Sequence, residues 1–173
     1  MRRFVSAFVA AALLLGLSCA RAALPAAGAL APAFSLADQS GTPRSLAEFR
    51  SKWVVLYFYP KDDTPGCTEE ACNFRDDIFV LEQMGAQVVG VSLDDSASHA
   101  LFAKKFSLPF PLLADPSGAV TRSYGALTQG SRYAQRYTFL IDPAGKVAKV
   151  YTSVETSRHS AEVIEDLKRL SKR

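Results

Sequence analysis

Cys67 and Cys72, five residues apart, are the side chains in this sequence best placed to do chemistry. They follow the run Tyr57-Phe58-Tyr59-Pro60-Lys61-Asp62-Asp63-Thr64-Pro65-Gly66. An apolar strand-like segment ends in a proline, a polar loop follows, and Cys67 stands where a helix should open. A helix N-terminus offers unpaired backbone N–H groups and the positive end of the helix dipole. Both favour a thiolate over a thiol, and the thiolate is the nucleophile. Cys67 is therefore the candidate reactive centre, and Cys72 is close enough in sequence to capture what Cys67 becomes.

The competing reading of such a pair is a structural disulfide. With Cys67 at the start of a helix, the geometry works against it. A rise of 1.5 Å and a turn of 100° per residue put the two Cα atoms about 8–9 Å apart and roughly 140° apart around the axis. A disulfide needs Cα atoms within about 7 Å. The pair can join only if the helix unwinds, which suits a two-state cycle better than a permanent staple. A helix that began after Cys72 would restore the structural reading.

Three further residues stand near this centre. Thr64 is a hydroxyl three residues before Cys67; it can position a small substrate or simply cap the helix. Pro60 ends the strand. Arg136 directly precedes the apolar run Tyr137-Thr138-Phe139-Leu140-Ile141, as either a fixed cation for a thiolate or a solvent-facing flank. His99 and His159 are the two histidines, and neither has metal-ligand spacing with the cysteines. No glycine-rich phosphate loop or GxSxG elbow is present.

The elements that must hold these residues alternate in type. Ala33 to Ala37 reads as a short strand, Gln39 to Thr42 as a turn, and Arg44 to Phe49 as a helical turn. Trp53 to Tyr59 is continuous and apolar, as a strand buried on both faces requires. From Cys67 to Met84, Ala71, Phe74, Ile78, Leu81 and Met84 recur at helical steps, closed by Gly85. Gln87 to Leu93 is a second core strand. Asp95 or Ser96 caps a helix over roughly 97 to 106. Leu112-Leu113-Ala114 is a short strand, Gly118 to Tyr124 a short helix. Tyr137 to Ile141 and Lys146 to Tyr151 form a hairpin. Ser160 opens a final amphipathic helix with Val163, Ile164, Leu167 and Leu170 inward. This pattern predicts an α/β domain with a central mixed sheet flanked by helices.

The chain has 173 residues, enough for one domain with a substantial core. Its formal charge is +3, but three of its 20 basic residues, Arg2, Arg3 and Arg21, lie in the first 22 residues, and the remaining basic residues equal the 17 acidic ones. A neutral body carries no field for nucleic acid or anionic lipid. Met1-Arg2-Arg3, the apolar stretch Phe4 to Leu17 and the small residues around Arg21 read as a secretory signal over residues 1–22, cleaved before Ala23. The apolar core of about 14 residues is shorter than the roughly 20 a spanning helix needs, so no stable membrane insertion is expected after cleavage. Lipid attachment at Cys19 is the minor alternative. Residues 23–32, rich in Ala and Pro, read as a flexible lead into a domain over 33–173. The expected location is outside the cytosol, in the periplasm.

The block from Tyr57 to Cys72 resembles the active-site segment of peroxiredoxins, in particular the bacterioferritin-comigratory-protein or Q-type subgroup. The family pattern P-x-x-x-T-x-x-C falls on Pro60, Thr64 and Cys67, and the subgroup's second cysteine falls on Cys72. The likeness continues in Gly90-Val91-Ser92 with Asp94, in Leu108 to Leu113 with Asp115, in Tyr124-Gly125, and in Arg136 through Asp142. It spans about residues 30 to 170. The resemblance implies a thioredoxin-like fold and a thiol peroxidase without metal or haem. It assigns the peroxidatic role to Cys67 and the resolving role, through an intramolecular disulfide, to Cys72. Thr64 and Arg136 would position peroxide and stabilise the thiolate, Pro60 would shield it, and Glu70 would orient the arginine. The implied partners are a peroxide, hydrogen peroxide or a small organic hydroperoxide, and a thioredoxin-like dithiol reductant. Two cysteines within one chain need no second subunit, so a monomer is expected. The alternatives are a thiol–disulfide oxidoreductase on the same fold, a class that favours C-x-x-C over the C-x4-C found here, and a binding module with a structural disulfide.

Overall fold

The computed structural model describes residues 24–172. The signal reading of residues 1–22 and the Cys19 alternative lie outside the described residues. Seven strands form one mixed sheet: β1 (Ser35–Ala37), β2 (Pro43–Ser45), β3 (Trp53–Phe58), β4 (Ala86–Ser92), β5 (Leu112–Ala114), β6 (Tyr137–Ile141) and β7 (Val147–Tyr151), in the spatial order β2-β1-β5-β4-β3-β6-β7. β4 runs parallel to both β3 and β5, whereas β6 is antiparallel to β3 and β7 to β6. The helices are α1 (Pro65–Asp76), α2 (Ile78–Gln83), α3 (Ser96–Phe106), α4 (Ala119–Ser123) and α5 (His159–Leu170), with a 3₁₀ turn over Leu46–Phe49.

β3 is central because both of its faces are apolar. Val55, Tyr57 and Tyr59 point to a layer that holds Cys67 and Phe74 of α1, Leu81 of α2, Phe102 of α3, and Val163 and Leu167 of α5. Val54, Leu56 and Phe58 point the other way, to Phe34, Phe49, Tyr124 and Phe139. Alternation within an unbroken apolar run is what a strand covered on both sides requires. Tyr57 fits because β4 carries Gly90 opposite it; a Cβ there would come within 2.8 Å of the tyrosine ring and of Leu112.

Three local features differ from the pattern expected of the sequence. The helical run from Cys67 to Met84 is two helices. α1 begins two residues earlier, at Pro65, and closes at Asp77, whose φ of −92° and ψ of 3° leave the helical region. Pro65 suits the first helical position, where its missing N–H is not needed. The apolar phase survives the break because the Asp77 N–H still donates to Asn73 O at 3.1 Å and the Leu81 N–H to Asp77 O at 3.1 Å. β2 escapes a hydrophobic pattern because it is an edge strand of three residues, Pro-Arg-Ser. The segment expected to be a flexible lead is fastened to the β6–β7 hairpin. Gly28 N–H donates to Val147 O at 2.8 Å, Val147 N–H to Ala29 O at 2.9 Å, and Ala31 N–H to Gly145 O at 2.9 Å. The Tyr124 hydroxyl adds a bond to Pro32 O at 2.7 Å.

Candidate active site

The site lies where β3 gives way to α1. Tyr59 makes the last sheet bond of that strand, its N–H donating to Val91 O at 3.1 Å, and Pro60, with no N–H, ends the ladder. The loop that follows is pinned through Asp62, which is buried. Its carboxylate accepts from the Tyr59 hydroxyl at 2.7 Å and the Ser98 hydroxyl at 2.7 Å, and lies 2.8 Å from His99 Nδ1. The Asp62 N–H donates to Asp94 Oδ2 at 2.9 Å, so strand β4's exit and helix α3 both grip the loop.

Thr64 is the N-cap of α1, with extended φ and ψ of −94° and 151°. Its hydroxyl makes no capping bond; it donates to Lys61 O at 3.0 Å. The first helical bond of the ladder runs from Thr68 N–H to Thr64 O at 2.8 Å. The N–H groups of Gly66 and Cys67 precede it, so the helix end keeps donors that Thr64 has not consumed.

Cys67 is buried, 1 % exposed, in the third position of the helix. Arg136, at the head of β6, reaches over this first turn. Its Nη2 donates to Cys67 Sγ at 3.3 Å and its Nη1 to Glu70 Oε2 at 2.5 Å. Gly66 admits the guanidinium: a Cβ there would sit 3.4 Å from Nη2. Glu70 is one turn beyond Cys67, so one planar fork serves both groups. Burial opposes the charge on Arg136, but Glu70 and Cys67 more than offset it, and its basicity is raised. Burial also pushes the Glu70 carboxyl up to about 7, against the pull of Arg136.

Cys72 is half-buried on the same unbroken helix, and both thiols are free. Two side chains beside it tie α1 to its surroundings. Asn73 Nδ2 donates to Thr156 O at 3.0 Å, and Arg75 Nη1 donates to Phe106 O at 2.7 Å.

The fold thus brings Cys67, Arg136 and Glu70 into direct contact, sets Thr64 at the helix cap and Pro60 at the strand end, and keeps Cys72 apart on α1. Nothing in the sequence singles out Asp62, and the two histidines read there as neither metal ligands nor a supported Cys–His hydrolase pair. His99 anchors the loop through Asp62, and His159 lies beside Glu70, with Nε2 at 4.0 Å from Glu70 Oε1. A usable signal was present: His99 shares its inward helical phase with Phe102 and Ala103, and His159 with Val163. Among the described residues, no cluster of three or more His, Cys, Asp or Glu is arranged to hold a metal ion, and no helix is long and apolar enough to cross a membrane.

Residues 27–150 match the AhpC/TSA family. A protein of Coxiella burnetii named putative peroxiredoxin bcp is 43% identical over 143 residues, which cover 79% of this chain and 95% of that one. The chloroplastic peroxiredoxin Q of Triticum aestivum is 41% identical over 145 residues, covering 83% of this chain and 67% of that protein. Among solved structures, the peroxidoxin BcpB of Mycobacterium tuberculosis superposes with a TM-score of 0.79 at 36% identity, covering 84% of this chain and 98% of that one. Peroxiredoxin Q of Xanthomonas campestris gives 0.74 at 34% identity, covering 79% and 90%. The likeness runs through strand, loop and helix tip alike, so the chain belongs to the AhpC/TSA family as a thioredoxin-like thiol peroxidase of the peroxiredoxin Q and bacterioferritin-comigratory-protein type.

Proposed function

We propose that this peroxidase reduces hydrogen peroxide and small organic hydroperoxides by a two-cysteine cycle confined to helix α1. The observation that carries the reading is the Arg136 N–H donated to Cys67 Sγ at 3.3 Å, at a helix end whose own N–H groups remain available. The Cys67 thiolate attacks one peroxide oxygen and breaks the O–O bond. Sulfur is oxidised to sulfenic acid, and the second oxygen leaves and takes a proton, as water or an alcohol. Arg136 and the helix-end N–H groups stabilise the charge carried by the oxygens in transit, joined by the Thr64 hydroxyl once it turns from Lys61 O. Pro60 closes the strand end against water, and Glu70 holds the guanidinium in plane through its 2.5 Å bond.

The second step joins the two cysteines. Cys72 attacks the sulfenic sulfur, a disulfide forms and water leaves. On intact α1 the Cα atoms are about 8–9 Å apart, beyond the roughly 7 Å a disulfide tolerates, so the helix must unwind first. A thioredoxin-like dithiol then restores both thiols by exchange and is itself oxidised. The cycle needs one chain, and we assign a monomer. We further assign export to the periplasm through cleavage of residues 1–22; a mature protein retaining Met1 in cell fractionation would refute that part.

Rapid mixing of the reduced protein with peroxide tests the cycle. Wild type should consume peroxide over many turnovers when supplied with a dithiol protein. Cys67→Ser should consume none. Cys72→Ser should complete one oxidation and then stall until an external thiol is added. Multi-turnover activity in Cys67→Ser would refute the assignment.

A further inference from the structure

The acid beneath the reactive cysteine is left incomplete by the contacts described so far. Glu70 is 1 % exposed. One carboxyl oxygen, Oε2, accepts from Arg136, and the other, Oε1, is buried with no hydrogen-bond partner among the described residues. The group facing that oxygen is the His159 ring, itself fully buried, with Nε2 at 4.0 Å. Nε2 lies 2.8 Å from the Thr138 hydroxyl, and Nδ1 has no hydrogen-bond partner among the described residues. The ring is held edge-on between Phe74 of α1 and Tyr151 of β7, with centroids at 5.5 and 5.1 Å. A buried polar atom left unpaired is destabilising, because it has given up water for no partner. The unpaired Glu70 oxygen faces the Nε2 edge of the ring, behind the arginine that touches Cys67, while the unpaired Nδ1 lies on the ring's other edge, toward Glu162.

We propose that His159 is a positioning residue for Cys67 oxidation: with Glu70 Oε1 it holds a proton that decides how much of the Arg136 charge faces the reactive sulfur. The inference rests on the peroxidatic role given above to Cys67. With the ring proton on Nδ1 and the Thr138 hydroxyl turned away from its one lone pair, Nε2 can take a bond from a protonated Glu70; the gap of 4.0 Å exceeds a hydrogen bond and closes with a shift of about 1 Å. With the proton on Glu70, the carboxyl is neutral and the guanidinium charge is undivided. With the proton gone, the carboxylate competes with the sulfur for the same fork.

The surroundings favour the first state up to neutral pH. Burial pushes Glu70 up to about 7. Burial, then Arg136 and Lys149, push His159 down to about 4, so the proton rests on the carboxyl rather than the imidazole. The groups facing Glu70 are Arg136 from β6, Tyr57 from β3, Cys67 on its own helix and His159 from α5. Those facing His159 are Thr138 and Arg136 from β6, Lys149 and Tyr151 from β7, and Glu162 on its own helix, whose Oε2 lies 3.9 Å from Nδ1. Lys149 is already engaged by Asp166.

The test is the pH profile of the second-order rate of Cys67 oxidation by hydrogen peroxide, read by rapid mixing on the full chain. Wild type should show a descending limb near pH 7 as Glu70 ionises. Glu70→Gln should remove that limb. His159→Gln, which replaces an acceptor by an amide able to donate to Oε1, should move the limb down by at least one pH unit, a tenfold change in rate at fixed pH on that limb. His159→Gln should add nothing to Glu70→Gln. A folded His159→Gln with its limb unmoved, or a wild type with no such limb, overturns the proposal. If His159→Gln fails to fold, infrared difference spectra of reduced wild type across pH 5–9, assigned with Glu70→Gln, decide the matter: a carboxylic acid band that titrates near 7 supports the pair, and a carboxylate throughout refutes it. That spectrum needs no peroxide, so a Cys67 that failed to react would sink the proposed function without touching this result.

Discussion

Two buried acid–histidine pairs flank the reactive cysteine, and they are built to opposite ends. Asp62 and His99 hold the loop that leads into α1; Glu70 and His159 lie under its first turn. In the first pair the ring nitrogen is 2.8 Å from the carboxylate, and Tyr59 and Ser98 donate to the same group at 2.7 Å each. In the second the gap is 4.0 Å, and Arg136 is the donor. Burial pushes both carboxyls upward. The donors around Asp62 more than offset it and hold that carboxyl below its ordinary range, whereas Glu70 rises to about 7. Similar residue types thus give one fixed charge and one titrating group, because Asp62 has more donors and Glu70 lies deeper. The fixed charge anchors a loop; the titrating one sits where a charge can be turned toward sulfur.

Removing the anchor should have the largest effect. Asp62→Ala leaves the Tyr59 and Ser98 hydroxyls and the His99 ring without their common acceptor. Each buried donor left without an acceptor costs about 1–3 kcal/mol, visible as a lower denaturant midpoint at unchanged slope. A loss below 1 kcal/mol would show that the loop is held by something else. Arg136→Ala comes next. It takes the donor from Cys67 and from Glu70 together, and the peroxide step should slow by about 10–1000-fold, as lost charge-stabilising donors do. Its stability should fall less than that of Asp62→Ala, because Glu70 without the arginine holds its proton more firmly and stays neutral. An unchanged rate with peroxide would remove Arg136 from the site.

How far these pairs could be seen in the sequence differs for a physical reason. Cys67, Thr64 and Pro60 are legible because the strand, loop and helix tip that present them are contiguous. Arg136 is legible because it precedes a run as apolar as Tyr137 to Ile141. The sheet and most of its helices follow from local periodicity. The histidines were not legible as partners: His99 meets Asp62 across 37 residues, and only the parallel pairing of β3 with β4 sets α3 beside the loop. His159 reaches Glu70 because α5 returns across the same face of the sheet, a fact of topology with no local pattern. The break at Asp77 is hidden because the apolar phase runs through it. The docking of residues 28–31 is hidden because it is made by backbone groups, which any composition supplies.

The smallest effect expected in the wild type is also the sharpest test of the contrast, because it comes from cancellation. A buried acid raised from 4.5 to about 7 binds its proton more tightly when folded. It therefore adds stability at low pH and loses it as pH rises through that interval. A histidine lowered from 6.5 to about 4 does the reverse: the unfolded chain takes the proton first, so stability falls as pH drops from 6.5 toward 4. Between about 4.5 and 6.5 the two slopes oppose, and their sum in wild type should be near zero. Glu70→Gln should uncover the histidine slope, a stability that declines with acidification by at most roughly 1.4 kcal/mol per pH unit relative to wild type. His159→Gln should uncover the opposite slope, with stability declining as pH rises. Asp62, lowered from its ordinary 3.8, should contribute nothing over this window, its stability being lost only as pH falls through its folded value. Chemical denaturation at half-unit pH steps reads all three. Parallel curves for wild type and both glutamine variants would mean that Glu70 and His159 keep ordinary proton affinities in the folded protein, and the distinction between an anchoring pair and a titrating pair would vanish.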